Sequence, residues 1–254
     1  MAAKSLGVAL VTGASQGIGR AIAQRLAKDG FRVALNDIPK KEQELKSVSS
    51  EIEQQTGSKP CIALADVSNE SQVEQMVGEA TKAFGGLDVM VANAGILHEN
   101  TKIVDLSAET WEKVFAINAR GVFFCYKHAA RQMIAQGRGG RIIGAASIAG
   151  RRSGFEHGAY GASKFAVRGL THTAAAELGP YGITVNAYAP GFIASPMTTG
   201  MTTSALANYG FITPENFKFG EPKDVASLVS YLASKEAHYI TGQTVSPNGG
   251  VYLN

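Results

Sequence analysis

A single doubly wound α/β domain, with a seven-stranded parallel sheet and helices on both faces, is the fold class this sequence predicts. Three observations carry the prediction. Short apolar runs alternate with longer amphipathic stretches from one end of the chain to the other. The apolar runs are continuous rather than alternating, as in strands buried on both faces. No repeat, low-complexity tract or Pro/Ser-rich linker divides the 254 residues, so one domain is expected over 1–254.

The elements follow in order. Val8 to Val11 reads as the first strand. A helix from about Gly17 to Lys28 carries Ile18, Ile22 and Leu26 four apart, a buried stripe. Gly30 ends it, and Arg32 to Leu35 is the second strand. A polar helix from about Lys40 to Gln55 leads to the third strand, Cys61 to Leu64. Val73, Met76, Val77 and Ala80 mark the next helix, before the strand Leu87 to Val91. A long helical stretch from about Ala108 to Gln136 precedes the strand Arg141 to Ile143. A helix holding Tyr160 runs to about Leu178, followed by the strand Ile183 to Asn186. Val225 to Ala233 is the last of roughly six helices, and Gln243 to Val245 is the seventh strand. Residues from about 192 to 219 fit no period. A stretch that long without regular signal inside a compact domain predicts a functional lid, here on the carboxyl side of the sheet.

Composition excludes several classes. Hydrophobic residues make up 45% and charged residues 18%, a globular balance, and the net charge of +3 is scattered. No basic footprint for nucleic acid is present. No apolar run approaches the eighteen or so residues that span a bilayer, and the start lacks a signal peptide's apolar core. A soluble cytoplasmic protein is expected. Cys61 and Cys125 are isolated, which predicts two free thiols and no metal site.

The chemistry is written at the ends of the strands. Strand one runs into Thr12-Gly13-Ala14-Ser15-Gln16-Gly17-Ile18-Gly19. Glycines at 13, 17 and 19 permit a tight turn and let a phosphate approach backbone amides at a helix N-terminus. Set between a strand and an amphipathic helix, this turn predicts a Rossmann-type nucleotide site in which Ser15, Gln16 and Ile18 contribute backbone. Asp37 ends strand two. A carboxylate there accepts hydrogen bonds from ribose hydroxyls and repels a 2′-phosphate, which favours NAD over NADP; Lys40 and Lys41 are the only nearby cations that would favour NADP. Asp66 and Val67 end strand three and Asn93-Ala94-Gly95 ends strand four, where a dinucleotide crosses the sheet. Tyr160 and Lys164 stand four apart on a helix, hence on one face, with Ser147 thirteen residues upstream. A lysine cation beside a phenol favours the phenolate and brings its pKa toward the working range.

Together, Thr12–Gly19, Asp66, Asn93-Ala94-Gly95, Asn118, Ser147, Tyr160, Lys164 and Pro190-Gly191 resemble the short-chain dehydrogenase/reductase family over essentially the whole chain. Within it, Ser163 to Thr171 and Gly182 to Asn186 are similar to NAD-dependent acetoin (diacetyl) reductases and 2,3-butanediol dehydrogenases. The resemblance implies Tyr160 as general acid/base and Lys164 as its pKa-lowering partner on the nicotinamide ribose. It implies Ser147 as the holder of the substrate oxygen, and Asn118 as the holder of a water that connects Lys164 to solvent. Pro190, Gly191, Ile193 and Ser195 would flank the nicotinamide. A homotetramer is also implied, with contacts through the Tyr160 helix, whose small stripe of Ala159, Ala162, Ala166, Gly169 and Thr173 suits close packing within or between subunits.

Two departures bear on substrate. Ile148 and Gly154 replace polar amide side chains of acetoin-type relatives, which opens room for a bulkier, more apolar secondary alcohol. Ser246-Pro247-Asn248-Gly249-Gly250 replaces an apolar residue and Asp before the two glycines, with no functional reading from sequence. His157 lies close enough to Tyr160 to touch substrate or simply to sit on an exposed loop, and Trp111 and Phe115 read as packing. The function expected is NAD(H)-dependent interconversion of a secondary alcohol and a ketone. The alternatives are a 3-oxoacyl-thioester reductase, and a non-catalytic nucleotide-sensing regulator.

Overall fold

In the computed structural model, which describes residues 5–201 and 218–253, seven parallel strands form one sheet in the order β3-β2-β1-β4-β5-β6-β7. The strands are β1 (Gly7–Thr12), β2 (Phe31–Asp37), β3 (Cys61–Leu64), β4 (Val89–Ala92), β5 (Gly140–Ala145), β6 (Ile183–Tyr188) and β7 (Thr244–Val245). Seven α-helices among the described residues cover the two faces: α1 (Gly17–Lys28), α2 (Glu42–Thr56), α3 (Glu70–Phe84), α4 (Ala108–Phe115), α5 (Gly121–Gln136), α6 (Gly158–Leu178) and α7 (Pro222–Ala233).

Burial explains the continuous apolar runs. Along β1 the residues Val8, Leu10 and Ala9, Val11 alternate between two cores, one on each face of the sheet. Leu10 and Met90 join the layer beneath α3, α5 and α6. Val11, Val91 and Leu35 join the layer beneath α1, α2 and α7. A strand buried on both sides has no polar face to show, so its sequence loses the period of two.

The long helix expected from Ala108 to Gln136 differs in one respect: it is interrupted by a π-helical segment, Ala116–Arg120, between α4 and α5. The interruption places Asn118 facing inward with no exposed surface. A single π turn inserted in a helix re-aims one side chain at the cost of weaker hydrogen bonding, and such turns recur at functional sites. Trp111 and Phe115 stack on each other with ring centroids 4.5 Å apart, in keeping with packing.

Between β1 and β4 the direction of strand addition reverses, leaving a crevice at the carboxyl ends of these two strands. Every motif read from the sequence lies on that edge. Of the expected lid over about 192–219, residues 202–217 lie outside the described residues. Its two ends are joined: Ile193 pairs with Gly220, and the Gly220 amide donates to the Phe192 carbonyl at 2.9 Å. The Ser246–Gly250 segment braces the same edge. Ser246 Oγ donates to the Ala189 carbonyl at 2.7 Å, and the Gly191 amide donates to the Pro247 carbonyl at 3.1 Å.

Leu10 has no exposed surface and sits at the middle of the sheet. Leu10→Ala should lower the unfolding free energy by about 2–5 kcal/mol, read as a shift of the urea midpoint; a shift equivalent to under about 1 kcal/mol would mean that the two core layers are not close-packed through β1.

Candidate active site

The crevice opens into a cavity of about 450 Å³ that runs from the Gly13–Gly19 turn past Asn93–Gly95 to Ser147, Tyr160 and Lys164. Its floor is a hydrogen-bonded joint between β1 and β4. Thr12 Oγ1 accepts from the amides of Asn93 (2.9 Å) and Ala94 (3.0 Å). Asn93 Nδ2 donates back to the Thr12 carbonyl at 2.8 Å. Tyr188, at the end of β6, donates its hydroxyl to Asn93 Oδ1 at 2.7 Å. Burial pushes the Tyr188 pKa up, which keeps that proton on the phenol as a donor. Tyr188 was not singled out by the sequence reading; the only available signal was a tyrosine ending an otherwise apolar strand.

The glycine turn is shaped by close approach. Gly13 has φ +65°, a left-handed conformation that a side chain disfavours. At Gly19 a Cβ would collide with the Gly13 carbonyl, so only glycine lets α1 start beneath the turn. The first turn of α1 contains no acidic residue, and its N-terminus faces the cavity, a setting that favours an anion.

Asp37 closes the far end. Its Oδ2 accepts from Ser15 Oγ at 2.6 Å and from the Ser15 amide at 3.3 Å, and its Oδ1 accepts from the Ile38 amide at 2.9 Å. Ser15 thereby ties the glycine turn to the carboxylate that ends β2. Of the two nearby lysines, Lys41 is engaged by Glu44 at 2.7 Å and lines the cavity, whereas Lys40 does not. Asp66 accepts from Ser68 Oγ at 2.7 Å and lines the cavity beside Val67. Pro190, Gly191, Ile193 and Ser195 line it from the β6 side.

At the other end stand Ser147, Tyr160 and Lys164. Ser147 follows β5 and caps a 3-10 turn, Ile148–Gly150, by accepting from the Ala149 amide at 3.1 Å. Arg168, on α6, donates to the Gly150 carbonyl at 2.9 Å and so fixes this turn against the helix that carries Tyr160. Ser147 and Tyr160 both line the cavity beside Lys164. Lys164 is 3% exposed and donates from Nζ to the Ala145 carbonyl at 2.8 Å; Nζ also lies 5.5 Å from the centre of the Tyr160 ring.

One detail differs from the sequence expectation. Burial pushes the Tyr160 pKa up, only partly opposed by the Ser147 hydrogen bond, whereas the lysine was expected to bring it down. The physical reason is that both groups leave water together: burial also pulls Lys164 down to about 8, and its ammonium is directed at a backbone carbonyl. The Asn118 side chain clamps the loop after β4, with Oδ1 accepting from the Ile96 amide and Nδ2 donating to the Ile96 carbonyl, both at 2.8 Å. Nδ2 also reaches Ser163 Oγ at 3.3 Å, a serine the sequence reading passed over, which ties the π segment to α6.

Among the described residues no group of three or more His, Cys, Asp or Glu is placed to hold a metal ion, and no helix is long and apolar enough to cross a membrane. Cys61 and Cys125 are free thiols, and burial pushes Cys125 up to about 12.

A doubly wound sheet with a glycine turn at its switch point and a Ser/Tyr/Lys set across the crevice defines a nucleotide-dependent oxidoreductase class of site. Comparison with known proteins gives the family. A family model described as enoyl-(acyl carrier protein) reductase matches residues 13–252. A short-chain dehydrogenase/reductase of Armillaria gallica is 51% identical over 253 residues, covering 97% of this chain and 96% of that protein. The 3-oxoacyl-[acyl-carrier-protein] reductase FabG of Staphylococcus epidermidis is 42% identical over 245 residues, covering 96% and 98%. The crystal structure of acetoin dehydrogenase YohF from Salmonella typhimurium superposes with a TM-score of 0.85 at 33% identity, over 96% of this chain and 95% of that one. The chain belongs to the short-chain dehydrogenase/reductase family.

The Lys164 shift sets a pH dependence of stability. Below pH 8 the lysine is charged in both folded and unfolded chains, and the burial penalty is fully present. Between about 8 and its ordinary 10.5 the folded chain binds fewer protons than the unfolded one, so stability rises with pH. The gap corresponds to on the order of 3 kcal/mol. Lys164→Met should therefore melt higher than wild type at pH 7, with the difference shrinking as pH approaches 10. Equal melting curves at both pH values would show that the ammonium is not desolvated.

Proposed function

We propose that this protein is an NAD(H)-dependent oxidoreductase that interconverts a secondary alcohol and a ketone. The observation that carries the proposal is that Ser147, Tyr160 and the buried Lys164 line one cavity that continues to Asp37. The residues fit a dinucleotide: a glycine turn that a Cβ would fill, an uncompensated helix N-terminus for the pyrophosphate, and a carboxylate at the end of β2 for the ribose hydroxyls. In this reading Gly13, Ser15, Gln16, Gly17, Ile18 and Gly19 hold the phosphates. Asp37, Asp66 and Val67 hold the adenosine. Asn93, Ala94, Gly95, Pro190, Gly191, Ile193 and Ser195 flank the nicotinamide.

A bound nicotinamide supplies or takes the hydride. The chain's own residues handle the proton and the oxygen. In reduction, Ser147 hydrogen-bonds the carbonyl oxygen where negative charge develops. Tyr160, whose raised pKa keeps its phenol protonated at neutral pH, gives its proton to that oxygen. Lys164, still mostly cationic at pH 7 with its value near 8, stabilises the phenolate left behind. Asn118 holds the Ile96 loop that walls the cavity, and a water relay to Lys164 belongs to the same proposal.

A second reading, reduction of a 3-oxoacyl thioester, is favoured by the relatives named for that activity. Against it, the cation nearest Asp37 that lines the cavity is already paired with Glu44, and NADPH binding would need a free one. We also propose a homotetramer: Phe123 on α5 and Phe165 on α6 are each more than two-fifths exposed, apolar surface suited to a subunit contact.

Oxidation of NADH and NADPH in the presence of diacetyl, acetoin, a cyclic ketone and an acetoacetyl thioester tests the proposal. Ketone-dependent loss of NADH is expected, and turnover confined to the thioester with NADPH would favour the second reading. Tyr160→Phe should lower turnover by roughly 10²–10⁴-fold while NADH binding, read by fluorescence titration, is retained; near-normal turnover would assign the proton donor elsewhere. Asp37→Ala should narrow the preference for NADH over NADPH, and an unchanged preference would place the discrimination on other residues.

A further inference from the structure

Asn93, which follows β4, carries an amide whose orientation its neighbours dictate. Its Nδ2 donates to the Thr12 carbonyl at 2.8 Å and to the Gly13 carbonyl at 3.3 Å. Carbonyls only accept, so the nitrogen must lie on that side and Oδ1 must point away, where it needs a donor. The Tyr188 hydroxyl is that donor, at 2.7 Å. Tyr188 ends β6, so the bond reaches over the strand that lies between β6 and β4. That strand, β5, ends in Gly144 and Ala145, which pair with Ala92 and Tyr188. Residues this small leave a phenol room to cross.

The glycine turn rests on the other side of the same amide. The Gly13 carbonyl that Asn93 holds packs against Gly19: a Cβ at Gly19 would collide with that carbonyl and with Asn93 Nδ2. A Cβ at Gly13 would press on Asn93 Nδ2 and on the Ala94 backbone. Tyr188 is 1% exposed and lines the cavity, yet its hydroxyl is committed to Asn93. The backbone part of the β1–β4 joint does not depend on that hydroxyl. Thr12 Oγ1 makes it, by accepting from the Asn93 and Ala94 amides.

We infer that Tyr188 is a positioning residue for the cofactor: through the Asn93 side chain it fixes the Gly13 carbonyl, and with it the turn that receives the pyrophosphate. Without the phenol hydroxyl, Asn93 Oδ1 loses its donor and the amide is no longer held in this orientation. The Gly13 carbonyl then loses its hydrogen bond, and the turn is no longer fixed against the start of α1. The Thr12 bonds to backbone remain, so the fold is kept while dinucleotide binding weakens. The inference rests on the dinucleotide-binding reading above.

The test titrates wild type, Tyr188→Phe, Asn93→Ala and the double variant with the dinucleotide that wild type binds more tightly, expected to be NADH. Binding is followed by dinucleotide fluorescence at a temperature where circular dichroism shows every variant folded. Tyr188→Phe should raise Kd roughly tenfold, the worth of about 1.4 kcal/mol. The double variant should bind no more weakly than Asn93→Ala, because the hydroxyl then has nothing to position. Asn93→Ser, which also removes the amide, takes its place in the cycle if Asn93→Ala does not fold. A Kd that Tyr188→Phe leaves within about twofold of wild type overturns the inference, even if the melting temperature falls, since a merely structural contact behaves that way. Losses that add in the double variant overturn it as well, because they would put the phenol in direct contact with the cofactor. Wild-type protein that binds neither NADH nor NADPH overturns the dinucleotide reading and the inference with it.

Discussion

The crevice exists because the polar atoms at the ends of β1 and β4 satisfy one another. At a switch point the sheet splits its helices to opposite faces, and the carbonyls and amides ending the two strands lose their ladder partners. Thr12 and Asn93 supply replacements, each bonding to the other's backbone, and Tyr188 completes the set from β6. With those groups paired, the space above them can stay open for a ligand rather than filling with side chains. The glycine turn, the Asp37–Ser15 tie and the Asn118–Ile96 clamp are all hung from this joint.

The electrostatics of the far end follow from the same enclosure. Tyr160 and Lys164 are buried together, and desolvation moves their pKa values apart, the phenol up and the ammonium down to about 8. Each group alone is a poor participant at neutral pH. In the proposed reaction, the pair in one low-dielectric pocket would let a proton move from phenol to substrate oxygen with the cation close enough to hold the resulting charge. Ser147, pinned by the 3-10 turn that Arg168 holds against α6, would in the same proposal bring the substrate oxygen into line with that proton.

Much of this was legible in the sequence, for physical reasons. Strands buried on both faces are apolar over most of their length and so were visible, and the two-residue β7, though only partly buried, lies within the expected Gln243–Val245 strand. Motif residues at strand ends are tied to the sheet, so naming the strand places the residue: Asp37, Asp66 and Asn93 all line the cavity. What sequence could not give were contacts made by residue types with several uses. The π segment at Asn118 reads as ordinary helix, because periodicity does not register a single extra residue. Tyr188 and Ser163 act through hydroxyls whose partners lie 95 and 45 residues away. The direction of the Tyr160 shift depends on how deeply the pair is buried, which a spacing of four does not encode. The Ser246–Gly250 segment had no reading at all until its bonds to Ala189 and Gly191 showed it as a brace for β6.

The central claim is that this cavity moves a hydride between a nicotinamide and a carbon that bears oxygen. The most direct measurement incubates the protein with NADH deuterated on the transferring face of C4 and a turned-over ketone, and locates the label by mass spectrometry. The account predicts deuterium on the carbinol carbon of the alcohol product, one atom for each NADH consumed. Alcohol formed without label, or NADH bound and never oxidised by any ketone, would contradict it.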